Sequence, residues 1–376
     1  MKALARWCHL TAAGVLVGAA ALAPLVDRDE PRYAQAVREM RQTGDLLVPR
    51  NFAQLRPDKP ILIYWLQWVA TGLVGERELG FRLPSLVAAW AWLWLSLLLA
   101  RELVGQQRLL VLPGIALAGL FATPDALVGA LTTACLLALL KGAQGKSPGW
   151  VAAGWALLGF GLLAKGPVTP LFVAPALAGY LGRDGPGWRR VTPWWGPLVT
   201  LAVAGPWFWA VNEATQWEFA RKAVARHLWQ RTLQPLESHG VAGPLGVLLG
   251  PPFYLAALAV ATFPLGVGVW QFLRRQKHQD PQLWRTVVWG VGIPLAVLSL
   301  VATKLPHYIL PAVPLLLATT PVTSRQQVTA ALASTGLALA FLASARLTPY
   351  REMGAALQGL PQPACARPLL EPSLRF

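Results

Sequence analysis

Residues 27–66, DRDEPRYAQAVREMRQTGDLLVPRNFAQLRPDKPILIYWL, decide how this chain is read. They concentrate charge in a protein that is 13% charged and 55% hydrophobic overall. They also follow directly on an apolar run, Cys8 to Val26, that approaches the roughly 20 residues a helix needs to cross a bilayer. A charged, Pro- and Gly-punctuated loop at the mouth of a membrane protein is where chemistry on a lipid headgroup is sited. The plainer alternative is an amphipathic helix resting on the membrane. Within the loop, Asp29-Glu30-Pro31-Arg32-Tyr33 opens a helix, because acids suit the positive end of the dipole and Pro31 is tolerated in the first turn. Tyr33, Ala36, Val37 and Met40 then form a narrow apolar stripe, which Gly44 ends.

The remaining composition fits a polytopic membrane protein: mean hydropathy is +0.46, and 18 Trp supply belts and packing. The net charge of +16 is no nucleic-acid signal, since the cations sit at the ends of apolar runs, where they anchor helices and meet anionic lipid. Cys8, Cys135 and Cys365 are too scattered for a disulfide framework or a metal cluster. The start MKALARWCHLTAAGVLVGAAALAPLV has the outline of a signal peptide. Its length and the multi-spanning remainder favour an uncleaved first span.

Apolar runs predict spans near 8–26, 83–100, 109–122, 126–140, 150–164, 167–182, 193–211, 244–272, 286–303, 306–320 and 327–345, about eleven in all. Residues 61–75 are apolar but short and aromatic, and read as a helix lying in the interface. The connections then alternate. One set (1–7, 101–108, 141–149, 183–192, 274–285, 323–326) holds fourteen Lys/Arg against only Glu102, Asp184 and Asp280, which places it and the N-terminus in the cytoplasm. The other set carries most of the acids, in loops 27–82 and 212–243, on the extracytoplasmic side. The organisation expected is an all-α transmembrane domain over 1–345 with interfacial helices in its first outer loop, and a short Pro-rich tail over 346–376.

The first-loop block DEPRYAQAVREMRQTGDLLVPR, followed by DKPILIYWLQ, resembles the first extracytoplasmic loop of the bacterial aminoarabinose transferase family, relatives of the protein O-mannosyltransferases. That family's pattern is an acidic pair, Arg-Tyr-Ala, Gly-Asp-Trp, then Glu-Lys-Pro-Pro and Tyr-Trp. Further matches follow in order: Arg82-Leu83-Pro84-Ser85, Thr123-Pro124-Asp125, Leu163-Ala164-Lys165-Gly166-Pro167, His227-x-x-x-Arg231, Ser238-His239-Gly240 and Thr303-Lys304-Leu305-Pro306-His307-Tyr308-Ile309-Leu310-Pro311. Departures are Leu46 for the Trp, Asp58 for the Glu, Ile61 for the second Pro, and Arg56 where an aromatic lines the site. The family also continues into an extracytoplasmic C-terminal domain, where this sequence has only the tail.

The resemblance implies a membrane glycosyltransferase of the C type in a bacterial inner membrane. It would move a sugar from a polyprenyl-phosphate donor to a lipid (lipid A-like) or protein acceptor outside that membrane. Such chemistry asks for a base that sharpens the acceptor and for cations that stabilise the departing phosphate. Asp29 matches the catalytic carboxylate, with Glu30 and Asp125 as further carboxylate candidates; simple capping is the alternative for each. Lys59 matches the phosphate-binding lysine, against a snorkelling cation. Arg32, Tyr33 and Tyr308 match positions that line the donor site, Arg231 is a candidate second phosphate cation, and Asp58, His227 and Lys304 are further substrate-binding candidates, whereas Lys165 reads as snorkelling. His227, His239 and His307 lack tight ligand spacing, so neither cofactor nor required metal is expected. The rival from another class is a transporter or lipid flippase with Asp125, Lys165 and Lys304 along a polar pathway. Such groups belong near the bilayer midplane, and here they cluster at span ends.

Overall fold

The computed structural model describes residues 1–26, 29–106, 108, 110–182, 187–223, 243–319 and 321–347. The Pro-rich tail beyond residue 347 and most of the 212–243 loop, with His227, Arg231 and His239, lie outside the described residues. The chain opens with α1 (Lys2–Leu22) and α2 (Asp29–Thr43), a small antiparallel hairpin pairing Arg50–Asn51 with Gln54–Leu55, and α3 (Leu62–Val74). Then come α4 (Glu78–Val104), α5 (Pro113–Leu120), α6 (Asp125–Ala143), α7 (Pro148–Lys165) and α8 (Val168–Leu181). They are followed by α9 (Gly187–Val191), α10 (Gly196–Ala214), α11 (Glu218–Ala223), α12 (Gly243–Ala261), α13 (Gly266–Gln279) and α14 (Pro281–Leu300). A 3-10 segment, Pro306–Ala312, runs into α15 (Val313–Leu317), and α16 (Ser324–Leu347) closes the described chain. Among the described residues five helices, α1, α4, α6, α14 and α16, are long and apolar enough to cross a membrane. The all-α membrane fold read from hydropathy is the one observed. The hairpin went unread, its turn formed by Phe52 and Ala53 at positive φ with their amides capped by the Glu39 carboxylate.

One buried ion pair ties the first loop to the bundle. Arg82 on α4 and Glu30 on α2 have fully buried side chains and meet at 2.7 Å. All five guanidinium donors are used: Nε and Nη2 reach the two Glu30 oxygens, Nη1 the carbonyls of Ala20 and Ala23, and Nη2 also that of Pro24. Glu30 in turn accepts the amides of Val26 at 2.8 Å and Ala122 at 2.7 Å. The end of α1, the start of α2, the start of α4 and the turn leading to α6 therefore converge on two side chains. The chain between residues 24 and 82 leaves and returns at the same end of the bundle. Gln67 confirms this for α3 itself, donating to the Phe81 and Ala122 carbonyls at 3.0 and 3.1 Å. At 13 residues, and so about 20 Å long, α3 also falls short of a hydrocarbon core of about 30 Å.

The opposite end is fastened by separate contacts. Lys146 pairs with Glu102, Arg190 donates to the Ala143 carbonyl, Gln282 to that of Tyr180, and Arg108 to that of Val322. Between the two ends α4 and α6 pack closely, because Gly129 lets the Trp92 ring lie where a Cβ would stand 2.4 Å away, and the indole N–H bonds Thr133 at 2.9 Å.

Three predicted spans take a different form. The run 244–272 is not one helix: α12 stops at Ala261, Pro264 interrupts the backbone, and the separate α13 carries Arg274 over Trp270. The run 109–122 is helical only over α5, since Gly105 in the left-handed conformation ends α4 and Pro113 restarts the helix. The run 306–320 begins as a 3-10 turn around Pro306 and Pro311. Non-helical backbone at membrane depth is tolerated where protein buries it, and Leu110–Leu112, Ile115, Ala116, Ile309 and Ala312–Val313 are all buried.

Removing one partner of a buried ion pair strands the other charge. Arg82→Met is expected to lower unfolding stability by about 3–5 kcal/mol, with part of the loss recovered when Glu30→Gln is added. Thermal unfolding of both variants in detergent checks this; wild-type stability in the single variant would show that the pair holds nothing together.

Candidate active site

Asp29 opens α2, and its neighbour Glu30 is locked to Arg82. Successive helical residues point about 100° apart, so fixing Glu30 inward turns Asp29 onto a different face. Asp29 is half-buried and has no hydrogen-bond partner among the described residues. Its field acts on Tyr33, Tyr64 and His307. The Tyr33 and Tyr64 rings pack against each other, tilted by 38°, with centroids 5.2 Å apart. Arg56 completes this group: its guanidinium lies 4.9 Å over the Tyr33 ring, and its Nε donates to the Tyr64 hydroxyl at 2.9 Å. Burial pushes both phenols up, Tyr64 to about 12 despite the opposing Arg56 cation, so both stay neutral donors at neutral pH.

A second group converges from the starts and ends of α6, α7 and the 3-10 segment. The Asp125 carboxylate pairs with Lys165, accepts the Thr123 hydroxyl at 2.8 Å, and stands 3.9 Å from His307 Nε2. Lys165 is not the snorkelling cation expected. Its side chain is only 9% exposed and sits 5.1 Å over the Tyr308 ring, itself edge-on to His307. In one dimension, a lysine that ends an apolar run ahead of Gly-Pro reads the same whether it faces lipid or a site. The two groups share electrostatic neighbours: His307 feels Asp125 and Lys165 together with Asp29 and Lys59. Asp29, Lys59, Asp125, Lys165, His307 and Tyr308 thus gather at one end of the bundle.

Other expected site residues have different employment. Glu30, a candidate catalytic carboxylate, has both oxygens engaged in the Arg82 cluster and is structural. Lys304, a substrate-binding candidate, is buried and donates to the carbonyls of Ser299 and Val301 at the end of α14, at 3.0 and 2.7 Å. Burial holds its ammonium below the ordinary lysine value. Arg32, Asp58 and Lys59 are half-buried beside the group around Tyr33.

Residues 58–209 match the family described as dolichyl-phosphate-mannose-protein mannosyltransferase. A curated relative, the undecaprenyl phosphate-alpha-4-amino-4-deoxy-L-arabinose arabinosyl transferase of Pseudomonas paraeruginosa, is 30% identical over 311 residues, covering 75% of this chain and 52% of that protein. Its namesake in Shewanella sediminis is 25% identical over 310 residues, with 75% and 53% covered. The chain therefore spans about half the length of the curated relatives it matches. The crystal structure of ArnT from Cupriavidus metallidurans bound to undecaprenyl phosphate superposes with a TM-score of 0.72 at 24% identity, over 93% of this chain and 65% of that one. The resemblance read from the first-loop block thus holds in sequence and in fold.

Asp125 and Lys165 are expected to be energetically coupled. Lys165→Met strands a desolvated carboxylate, and adding Asp125→Asn removes it, so a double-mutant cycle on unfolding should return a coupling of about 1–3 kcal/mol. Strictly additive losses would mean the two groups do not meet in the folded protein.

Proposed function

We propose that this relative of the aminoarabinose and protein mannosyl transferases moves a pentosyl or hexosyl group from a polyprenyl phosphate to a lipid acceptor. The observation that carries this reading is the contrast between two carboxylates at one end of the bundle. Asp29 is half-buried and unpartnered among the described residues, whereas Asp125 is engaged by Lys165 and Thr123. A base needs a free lone pair within reach of the acceptor, and Asp29 supplies one. In this reading Asp29 orients the acceptor hydroxyl or phosphate and takes up its proton, as the acceptor oxygen bonds to the anomeric carbon. The bond from that carbon to the lipid phosphate breaks, and Lys59, with Arg32 and Arg231, holds the departing phosphate. Asp125 anchors Lys165, and Tyr33 and Tyr308 line the donor. No step is assigned to a metal.

The lipid acceptor rests on α3, whose Leu66, Val69, Leu73 and Val74 are exposed beside the site and present an apolar flank to a membrane. The transporter reading fares worse, because the charged groups sit at helix ends on one side and not along a path through the bundle. We read the membrane part as eleven passes: α1, α4, α5, α6, α7, α8, α10, α12, α14, the 3-10 segment with α15, and α16. The N-terminus is cytoplasmic and the site extracytoplasmic, as the cation-rich short connections require.

Topology is open to direct measurement. With Cys8, Cys135 and Cys365 replaced, single cysteines at Gln54 and Glu218 are expected to react with an impermeant maleimide in intact spheroplasts, and one at Ser147 only after lysis. Labelling of Ser147 in intact cells would invert the protein and remove the site from the acceptor's side.

The two residues central to the mechanism should separate kinetically. Asp29→Asn keeps the shape but removes the charge, so turnover should fall by about 10²-fold or more with donor affinity little changed. Lys59→Ala removes a cation that holds phosphate in both ground and transition states, so affinity and turnover should fall together. Transfer of radiolabelled sugar, alongside donor binding, distinguishes them; near-normal turnover in Asp29→Asn would make Asp29 a helix cap.

A further inference from the structure

Arg56 is only 5% exposed, yet its hydrogen bonding is incomplete. Its backbone N–H is held by the Pro49 carbonyl at 2.9 Å, and Pro57 follows, so the residue is fixed at the root of the hairpin. Nε donates to Tyr64, and the flat face rests on Tyr33. Among the described residues the four N–H groups of Nη1 and Nη2 have no hydrogen-bond partner and form no ion pair, and the nearby Asp58 charge acts on the guanidinium. The contrast with Arg82 is direct, since there all five donors are satisfied within the protein. A guanidinium anchored at Nε and over one ring face, with its Nη edge unpartnered among the described residues, leaves that edge open to water or to a ligand.

The unsatisfied edge belongs to the same cluster as the proposed base. Tyr33, which supports the Arg56 guanidinium, also lies in the field of Asp29 and Asp125. Lys59 follows three residues later. A guanidinium held against one aromatic ring and bonded through Nε to a tyrosine hydroxyl loses little freedom on binding and can take an oxyanion across its two terminal nitrogens. Lysine, a mobile point charge, suits the lipid phosphate itself; the fixed fork suits a second anion at a set position.

We infer that Arg56 is a specificity-determining residue that receives a second anionic group on the donor, beside the lipid-linked phosphate. The shared chemistry is an oxyanion with two accepting oxygens. It has two sources: a carboxylate on the transferred sugar, as in a uronic acid, or the second phosphate of a polyprenyl diphosphate. The inference rests on the reading of this end of the bundle as a lipid-phosphate donor site. It goes beyond that reading in naming an acidic donor.

The test is a competition measurement on the full chain in nanodiscs, with radiolabelled polyprenyl monophosphate displaced by four unlabelled compounds. These are the polyprenyl monophosphate, the polyprenyl diphosphate, the polyprenyl phosphoglucose and the polyprenyl phosphoglucuronate. The wild type is expected to bind the glucuronate about tenfold tighter than the glucose compound, or the diphosphate about tenfold tighter than the monophosphate. Whichever pair separates identifies the source. Arg56→Tyr should bring the separated ratio close to one, and Arg56→Lys should retain part of it. Equal affinities within both pairs in the wild type overturn the inference without reference to any variant. A uniform loss across all four compounds in Arg56→Tyr overturns it too, since that is what a purely structural arginine gives. Sugar transfer is assayed separately: a charge preference without turnover of any donor would sink the transferase reading and leave Arg56 as an anion site, while turnover without the preference does the reverse.

Discussion

Everything at the functional end of this protein hangs from the contact between Arg82 and Glu30. Two ions removed from water lose several kcal/mol each in solvation, and their mutual attraction offsets this only when the remaining donors and acceptors are met. Here they are met, by the last carbonyls of α1 and the amides of Val26 and Ala122. The satisfied acceptors are also ones a helix end leaves open: carbonyls near the end of α1 have no helical amide to accept from. A single guanidinium therefore solves a capping problem and a docking problem together. The first turn of α2 is consequently fixed relative to α1, α4 and α6, before any ligand is considered.

That constraint explains why an acidic pair serves better than one acid. Glu30, with the longer reach, goes inward and is consumed by structure; Asp29, one position earlier, is left on another face with no hydrogen-bond partner among the described residues. In the mechanism proposed above, a carboxylate whose backbone is held in this way is pre-organised for work on an acceptor. The second acid of the site is built the opposite way. Asp125 is surrounded by Lys165, Thr123 and His307, and its charge is already answered.

Much of this was legible in the sequence, and the failures are instructive. The charge-dense block after the first apolar run marked the functional loop, because burying that many ionisable groups in lipid is prohibitive. Gly105 and Pro113 mark an interrupted span, yet an apolar run such as 109–122 reads as one helix whenever hydropathy alone is counted. The same holds for Pro264 within 244–272. Side-chain direction was the harder matter. Glu30 and Asp29 are indistinguishable as letters, and only Arg82, 52 residues later, decides which is structural. Lys165 and Lys304 both follow apolar runs; one faces a carboxylate across 40 residues and the other turns back on its own helix end. Pairings over such separations leave no periodic trace.

The placement of the site follows from the same interruptions. Asp125 begins α6 after an irregular turn, Lys165 ends α7 just before Gly166 at φ +65, and His307 and Tyr308 lie on a 3-10 turn. In mid-helix each of these side chains would be locked at lipid depth among close-packed neighbours, where an ion has nothing to answer it. At broken ends they can converge from different elements, and the backbone exposed by the break is covered by neighbouring protein. Short α5 and the short 3-10 segment with α15 leave Thr123, Asp125 and His307 on irregular backbone or helix ends, where they meet. The bundle gives up regularity at one end, and the polar chemistry occupies the space that the irregularity opens.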